Sequence, residues 1–282
     1  MKIIDFRCRP CTQEWAEFLN MPFQAEHVAR GKTYKGLDLT IQTPKDLIQE
    51  MDISGVAVGV TAGRDLETTL GWKWDNDKVA QFVNAYPDRL IGYAGVDPNK
   101  GMDAIREIDR AVELGLKGVS VDPFLSKVRI NDKKMYPIYA KCVENRLPIM
   151  VTTGMSTWGG DWAYMKWCTT MDVDEPATDF PELIIICSHA GFPWAWEMLS
   201  IAMRHSNIYI ETSGISAYES FMGGGEPYYK AANGVLGDRF VFGSAKPYGP
   251  IKAAIDIIRK EPYNEETLGN ILFNNGARIL GL

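Results

Sequence analysis

The 282-residue sequence predicts an α/β fold, a (β/α)8 TIM barrel in a single domain spanning 1–282, and three observations predict it. Eight short β-branched and apolar runs follow one another, amphipathic stretches at helical spacing separate them, and no polar linker divides the chain. The runs are Ile3 to Cys8, Val56 to Thr61, Leu90 to Val96, Gly118 to Val121, Pro148 to Thr153, Leu183 to Ser188, Asn207 to Thr212 and Phe240 to Ser244. Their starts lie 24 to 53 residues apart, room for a strand, a loop, a crossover helix and a second loop. Periodicity leaves an open doubly wound sheet as the alternative. That fold favours a Gly-rich first turn, and neither G-x-G-x-x-G nor G-x-x-x-x-G-K-[ST] occurs.

Taken in order, the first gap is the longest and implies an extended first loop at about 10–42. Thr43-Pro44-Lys45-Asp46 reads as an N-cap with proline in the first turn, opening a helix through Leu47, Ile48 and Met51. Ile105, Ile108, Ala111 and Val112 mark another helix, which Gly115 stops. His205 closes a helix from Trp194 to Arg204, where a cation suits the dipole.

Composition narrows the function. With 46% hydrophobic and 23% charged residues the chain can bury a large core, which excludes disorder and disulfide-stapled miniatures. Thirty Lys and Arg against thirty-six Asp and Glu give a net charge of -6, so nucleic acid is not an expected partner. Five cysteines, an odd number, read as free thiols in a reducing, cytoplasmic setting; the Cys8-Arg9-Pro10-Cys11 pair abuts the start of a long chain rather than opening a helix after a strand. No basic stretch leads into a long apolar run, so neither a secretion signal nor a membrane span is expected.

In a barrel of this kind chemistry sits where strands end. Those places read Arg7-Cys8-Arg9, Ala62-Gly63-Arg64, Asp97, Asp122, Thr152-Thr153, His189, Glu211 and Ser244-Ala245-Lys246. With Ile3-Ile4-Asp5-Phe6-x-x-x-Pro10, Ser188-His189-Ala190-Gly191-x-Pro193, Phe242-Gly243-Ser244-x-x-Pro247 and the closing Asn275-Gly276-Ala277-Arg278-Ile279-Leu280, they make the chain resemble the metal-dependent amidohydrolase superfamily. The resemblance is to its branch with aminocarboxymuconate semialdehyde decarboxylase and 2-pyrone-4,6-dicarboxylate lactonase, and it covers nearly the whole chain.

The resemblance implies a His-x-His pair on the first strand, a His after the fifth and an Asp after the eighth as metal ligands, with a His after the sixth in proton transfer. Here the first pair is Arg7 and Arg9, the fifth place reads Thr152-Thr153 and the eighth Ala245. Guanidinium groups stay protonated and offer no lone pair, so no metal and no other cofactor is expected. His189 keeps the sixth-strand place and can act as general acid or base, or cap the strand end. Asp122 and Glu211 are candidates to share that catalysis, or to orient an arginine.

Arg7, Arg9, Arg64 and Lys246 form a candidate clamp for a carboxylate, sulfonate or phosphate. The other reading of the arginines is an internal ion-pair network with Asp5, Asp97, Asp122 and Glu211. Thr152 and Ser244 add hydroxyls. Cys8 alternates away from the arginines and reads as core. Trp72, Trp74, Trp158, Trp162, Trp167, Trp194 and Trp196 follow strands two, five and six, and Trp15 follows strand one; Trp158 and Trp72 are the candidates for an apolar wall around a small ring compound.

The favoured function at this level is a metal-independent, lactonase-like hydrolase acting on a small carboxylated ring compound, an anionic organic substrate. The alternatives are a decarboxylase of a muconate-type acid and a non-catalytic anion-binding barrel, a sensor or supporting subunit. A homo-oligomer is compatible with the sequence.

Overall fold

Residues 2–155 and 163–282 are described by a computed structural model of the chain. Eight parallel strands follow the eight apolar runs: β1 Ile3–Asp5, β2 Val56–Ala62, β3 Leu90–Gly95, β4 Val119–Val121, β5 Ile149–Thr152, β6 Ile185–Ser188, β7 Ile208–Glu211 and β8 Phe240–Val241. They pair in chain order from β1 to β8. Past the strand ends the ring is drawn together where Phe6 N donates to the Phe242 carbonyl at 2.9 Å and Ser244 N donates to Asp5 Oδ1 at 2.9 Å. The fold is a TIM barrel.

Alternation along the strands builds two cores. Ile4, Phe6, Val60, Met150, Ile186 and Val241 fill the inside of the barrel. Ile3, Cys8, Met51, Ile108, Ile138 and Ile255 pack between the sheet and the outer helices. All five cysteines are free and buried, Cys8 and Cys11 included. No helix among the described residues is long and apolar enough to cross a membrane.

The helix Pro44–Ser54 starts as its sequence dictates: Thr43 Oγ1 accepts from Asp46 N while Asp46 Oδ2 accepts from Thr43 N, and Gly55 ends it at φ 77°. The helix Met102–Glu113 ends likewise, with Gly115 at φ 84°. The long first connection is not an irregular loop, because it carries the helices Gln13–Leu19 and Ala25–Lys35. A second departure from the sequence reading follows β2, where Arg64–Leu66 and Trp72–Trp74 pair as an antiparallel ribbon. Both excursions leave from strand ends, and the first brings Trp15 against the side chains that gather there.

Candidate active site

Asp5 sets the geometry of the first strand end. Its Oδ1 accepts from Arg7 N at 2.9 Å, so the backbone turns at Phe6-Arg7 instead of continuing the ladder. The alternation changes phase there, and Phe6, Arg7 and Arg9 all line one interior cavity while Cys8 stays in the outer layer. Arg64 is delivered from β2 by close backbone packing: a Cβ on Gly95 would lie 2.3 Å from Arg64 N, which only glycine permits. Ser120, Asp122, Met150, Thr152 and Ser188 complete the described lining. The cavity has about 10 Å³ of water-sized space, room for one oxygen-sized group.

Two of the three guanidinium groups are matched by carboxylates. Arg64 Nη2 lies 3.0 Å from Asp122 Oδ2, to which Thr152 Oγ1 also donates at 3.4 Å, while Asp122 Oδ1 caps Leu125 N at 3.3 Å. Arg7 Nε stands 3.8 Å from Glu211 Oε2. Arg9 is tied by Nε to the Lys246 carbonyl at 3.1 Å and stacks on the Trp15 ring at 4.8 Å, with Tyr248 at 6.0 Å; among the described residues it has no ion-pair partner. Trp15 also lies under Arg64 at 4.9 Å, so one fully buried indole supports two cations.

Burial, partly offset by Glu211, makes the charge of Arg7 costly and lowers its pKa; burial and then repulsion from Arg7 and Arg64 lower that of Arg9 further. The guanidinium groups nonetheless keep their protons.

Glu211 is fully buried and its oxygens are committed. Oε1 accepts from Ser213 N at 2.5 Å, and Oε2 accepts from Ser213 Oγ at 2.8 Å and from His189 N at 3.3 Å. Gly243 leaves it room, since a Cβ there would sit 2.2 Å from Oε1. Glu211 therefore orients Arg7 and the His189 backbone, and does not face the cavity as a base. His189 holds the left-handed conformation at φ 67°, followed by Ala190 at φ 57°, and neither is among the described lining residues.

Other candidates fall elsewhere. Lys246 turns to the helix Pro44–Ser54, with Nζ 2.9 Å from Glu50 Oε2, so its charge is spent outside the cavity. Ser244 Oγ donates to the Arg7 carbonyl at 3.3 Å and accepts from Lys246 N at 3.2 Å, which makes it a backbone brace. Asp97 binds Thr68 and Asn99 N and, among the described residues, forms no ion pair with an arginine. Trp72 corrects the expected wall: its ring packs on Phe18 at 4.6 Å and its Nε1 donates to the Glu14 carbonyl, behind Trp15, because the ribbon that carries it folds back onto the helix Gln13–Leu19. Trp158 lies outside the described residues. Sequence reasoning missed Trp15 and Tyr248 as neighbours of the cations, and Ser188, which inward alternation from Ile186 could have found.

Asp5 gives a pH test. Burial pushes its carboxyl above the usual carboxylate range, against the Ser244 and Arg7 hydrogen bonds that lower it. A raised acid is bound to its proton more tightly when folded, so its contribution is full below the unfolded value near about 4 and is lost as pH rises through the folded value. Melting temperatures of wild type and Asp5→Asn, measured from about pH 4 to about pH 7, should show the wild type losing ground to the variant as pH rises. A difference moving the other way would show that burial does not dominate.

The metal set implied by the resemblance does not fit these residues. Two guanidinium groups, two threonine hydroxyls and an alanine stand in its ligand places, and Asp122 and Glu211 are engaged by arginines. Among the described residues no three His, Cys, Asp or Glu side chains gather as a metal would require.

Comparisons agree with this architecture. Residues 21–282 match the model of the family described as Amidohydrolase. A 2-amino-3-carboxymuconate-6-semialdehyde decarboxylase of Dictyostelium discoideum is 24% identical over 131 residues, 42% of this chain and 36% of that enzyme, so the match spans about a third of its length. An uncharacterized TIM-barrel protein from Bordetella bronchiseptica superposes with a TM-score of 0.82 at 27% identity, covering 100% of this chain and 99% of that one. A dihydroxybenzoic acid decarboxylase from Polaromonas, solved with manganese and the inhibitor 2-nitroresorcinol, has a TM-score of 0.67 at 18% identity, covering 100% and 97%. With the family's model matched over all but the first twenty residues, on a barrel whose strand ends carry the site, the chain belongs to the amidohydrolase family.

Proposed function

We propose that the chain is a carboxy-lyase that removes CO2 from a small hydroxylated ring acid, with arginine side chains supplying the positive charge. The observation that carries this reading is the convergence of Arg7, Arg9 and Arg64 on one interior cavity together with an oriented carboxyl group, Asp122. A decarboxylase suits these residues better than the lactonase expected from sequence. Three guanidinium groups on one cavity suit a substrate that carries a carboxylate, the group a decarboxylase removes. Two of the similar proteins are also named as decarboxylases.

In this reading the substrate carboxylate lies on the guanidinium groups. Asp122, held by Arg64 and Thr152, accepts the proton of the ring hydroxyl and returns it to the carbon that bears the carboxylate. The bond to the carboxylate then breaks, its electron pair returns to the ring, CO2 leaves, and the phenolate takes one proton from water. The bound charge is fixed and needs no ion, so turnover is metal-independent.

The test is CO2 release from a panel of hydroxybenzoates, beside hydrolysis of lactones, with and without chelator. Turnover that resists chelation and falls by about a hundredfold or more in Asp122→Asn is expected. Lactone hydrolysis, loss of activity to chelator with one ion per chain by elemental analysis, or binding without turnover would each overturn the proposal.

A further inference from the structure

We infer that the cavity selects an acid with a single carboxylate, which Arg9 and Ser188 hold between them. The inference rests on reading this cavity as acid-binding and concerns which acids it admits. Three guanidinium groups line the cavity; Arg64 is paired with Asp122, which also lines it, and Arg7 with Glu211, which does not, so Arg9 is the guanidinium group left without an ion-pair partner among the described residues. Asp5 is not among the described lining residues and spends Oδ1 on two backbone N–H groups, and Lys246 is matched by Glu50.

The remaining charge has an address. Arg9 Nη2 and Ser188 Oγ are buried, and neither finds a hydrogen-bond partner among the described residues; both residues line the cavity. A buried donor without an acceptor costs free energy that a bound acceptor recovers. The Arg9 plane is already fixed by the Lys246 carbonyl and by the Trp15 ring, so Nη2 is held in place as a donor for one carboxylate oxygen. A second carboxylate on the same ligand would find Arg64 and Arg7 already paired and would face Asp122, a like-charge penalty in a buried site.

The experiment is calorimetric titration of the full chain with benzoate and with benzene-1,3-dicarboxylate, which measures binding without turnover. Benzoate is expected to bind at least about tenfold more tightly than the dicarboxylate, and Arg9→Gln to weaken benzoate by about tenfold or more. Ser188→Ala guards against misfolding: its melting temperature should equal or exceed that of wild type, since it deletes an unpartnered hydroxyl, while benzoate binding weakens several-fold. A dicarboxylate that binds as tightly as benzoate, or is the better substrate for decarboxylation, overturns the selection and leaves the carboxy-lyase standing. Benzoate binding unchanged in both variants overturns the assignment of Arg9 and Ser188. If neither acid binds, the acid-binding reading falls and the inference with it.

Discussion

Replacing Glu211 by alanine is expected to destabilise the protein by about 3–5 kcal/mol, the cost of leaving a buried charge without its partner. Arg7 is 4% exposed and, among the described residues, forms its ion pair with Glu211. The same change releases Ser213 N, Ser213 Oγ and His189 N from their acceptor. Urea unfolding of Glu211→Ala, of Arg7→Leu and of the double variant Arg7→Leu/Glu211→Leu measures it. The double variant should recover part of the loss, because two apolar side chains replace a desolvated pair. A loss below about 1 kcal/mol in Glu211→Ala would mean that solvent reaches Arg7 and the pair has little weight.

Trp15→Ala should cost about as much for a different reason. Deleting a fully buried indole leaves a cavity, at about 3–5 kcal/mol, and removes the ring on which Arg9 and Arg64 rest. Phe18 and Trp72 touch the same ring and would shift into the space. Trp15→Phe separates the effects, since it keeps an aromatic face at lower volume. Thermal melts should place Trp15→Phe well above Trp15→Ala, and an equal loss in both would show that neither the volume nor the aromatic face that phenylalanine keeps can stand in for the indole.

The parts of this protein legible from sequence were those written in local pattern. β-branched runs at strand length marked all eight barrel strands, and Thr43-Pro44-Lys45-Asp46 marked a helix start that forms as read. The parts that escaped depended on contacts between distant segments. Trp72 and Trp15 look alike in sequence, both following a strand, yet one is packed behind the other. Lys246 looked like a site cation until the fold brought it within 2.9 Å of Glu50.

By itself the sequence determined the barrel, its strand ends and the presence of Arg7 and Arg9 at the first of them, because hydrophobic period and side-chain chemistry are properties of the local chain. Only tertiary structure decided which charges are spent and which remain. Pairing depends on distances of a few ångströms between residues far apart in sequence, as with Arg7 and Glu211 or Arg64 and Asp122, and no local pattern encodes those distances.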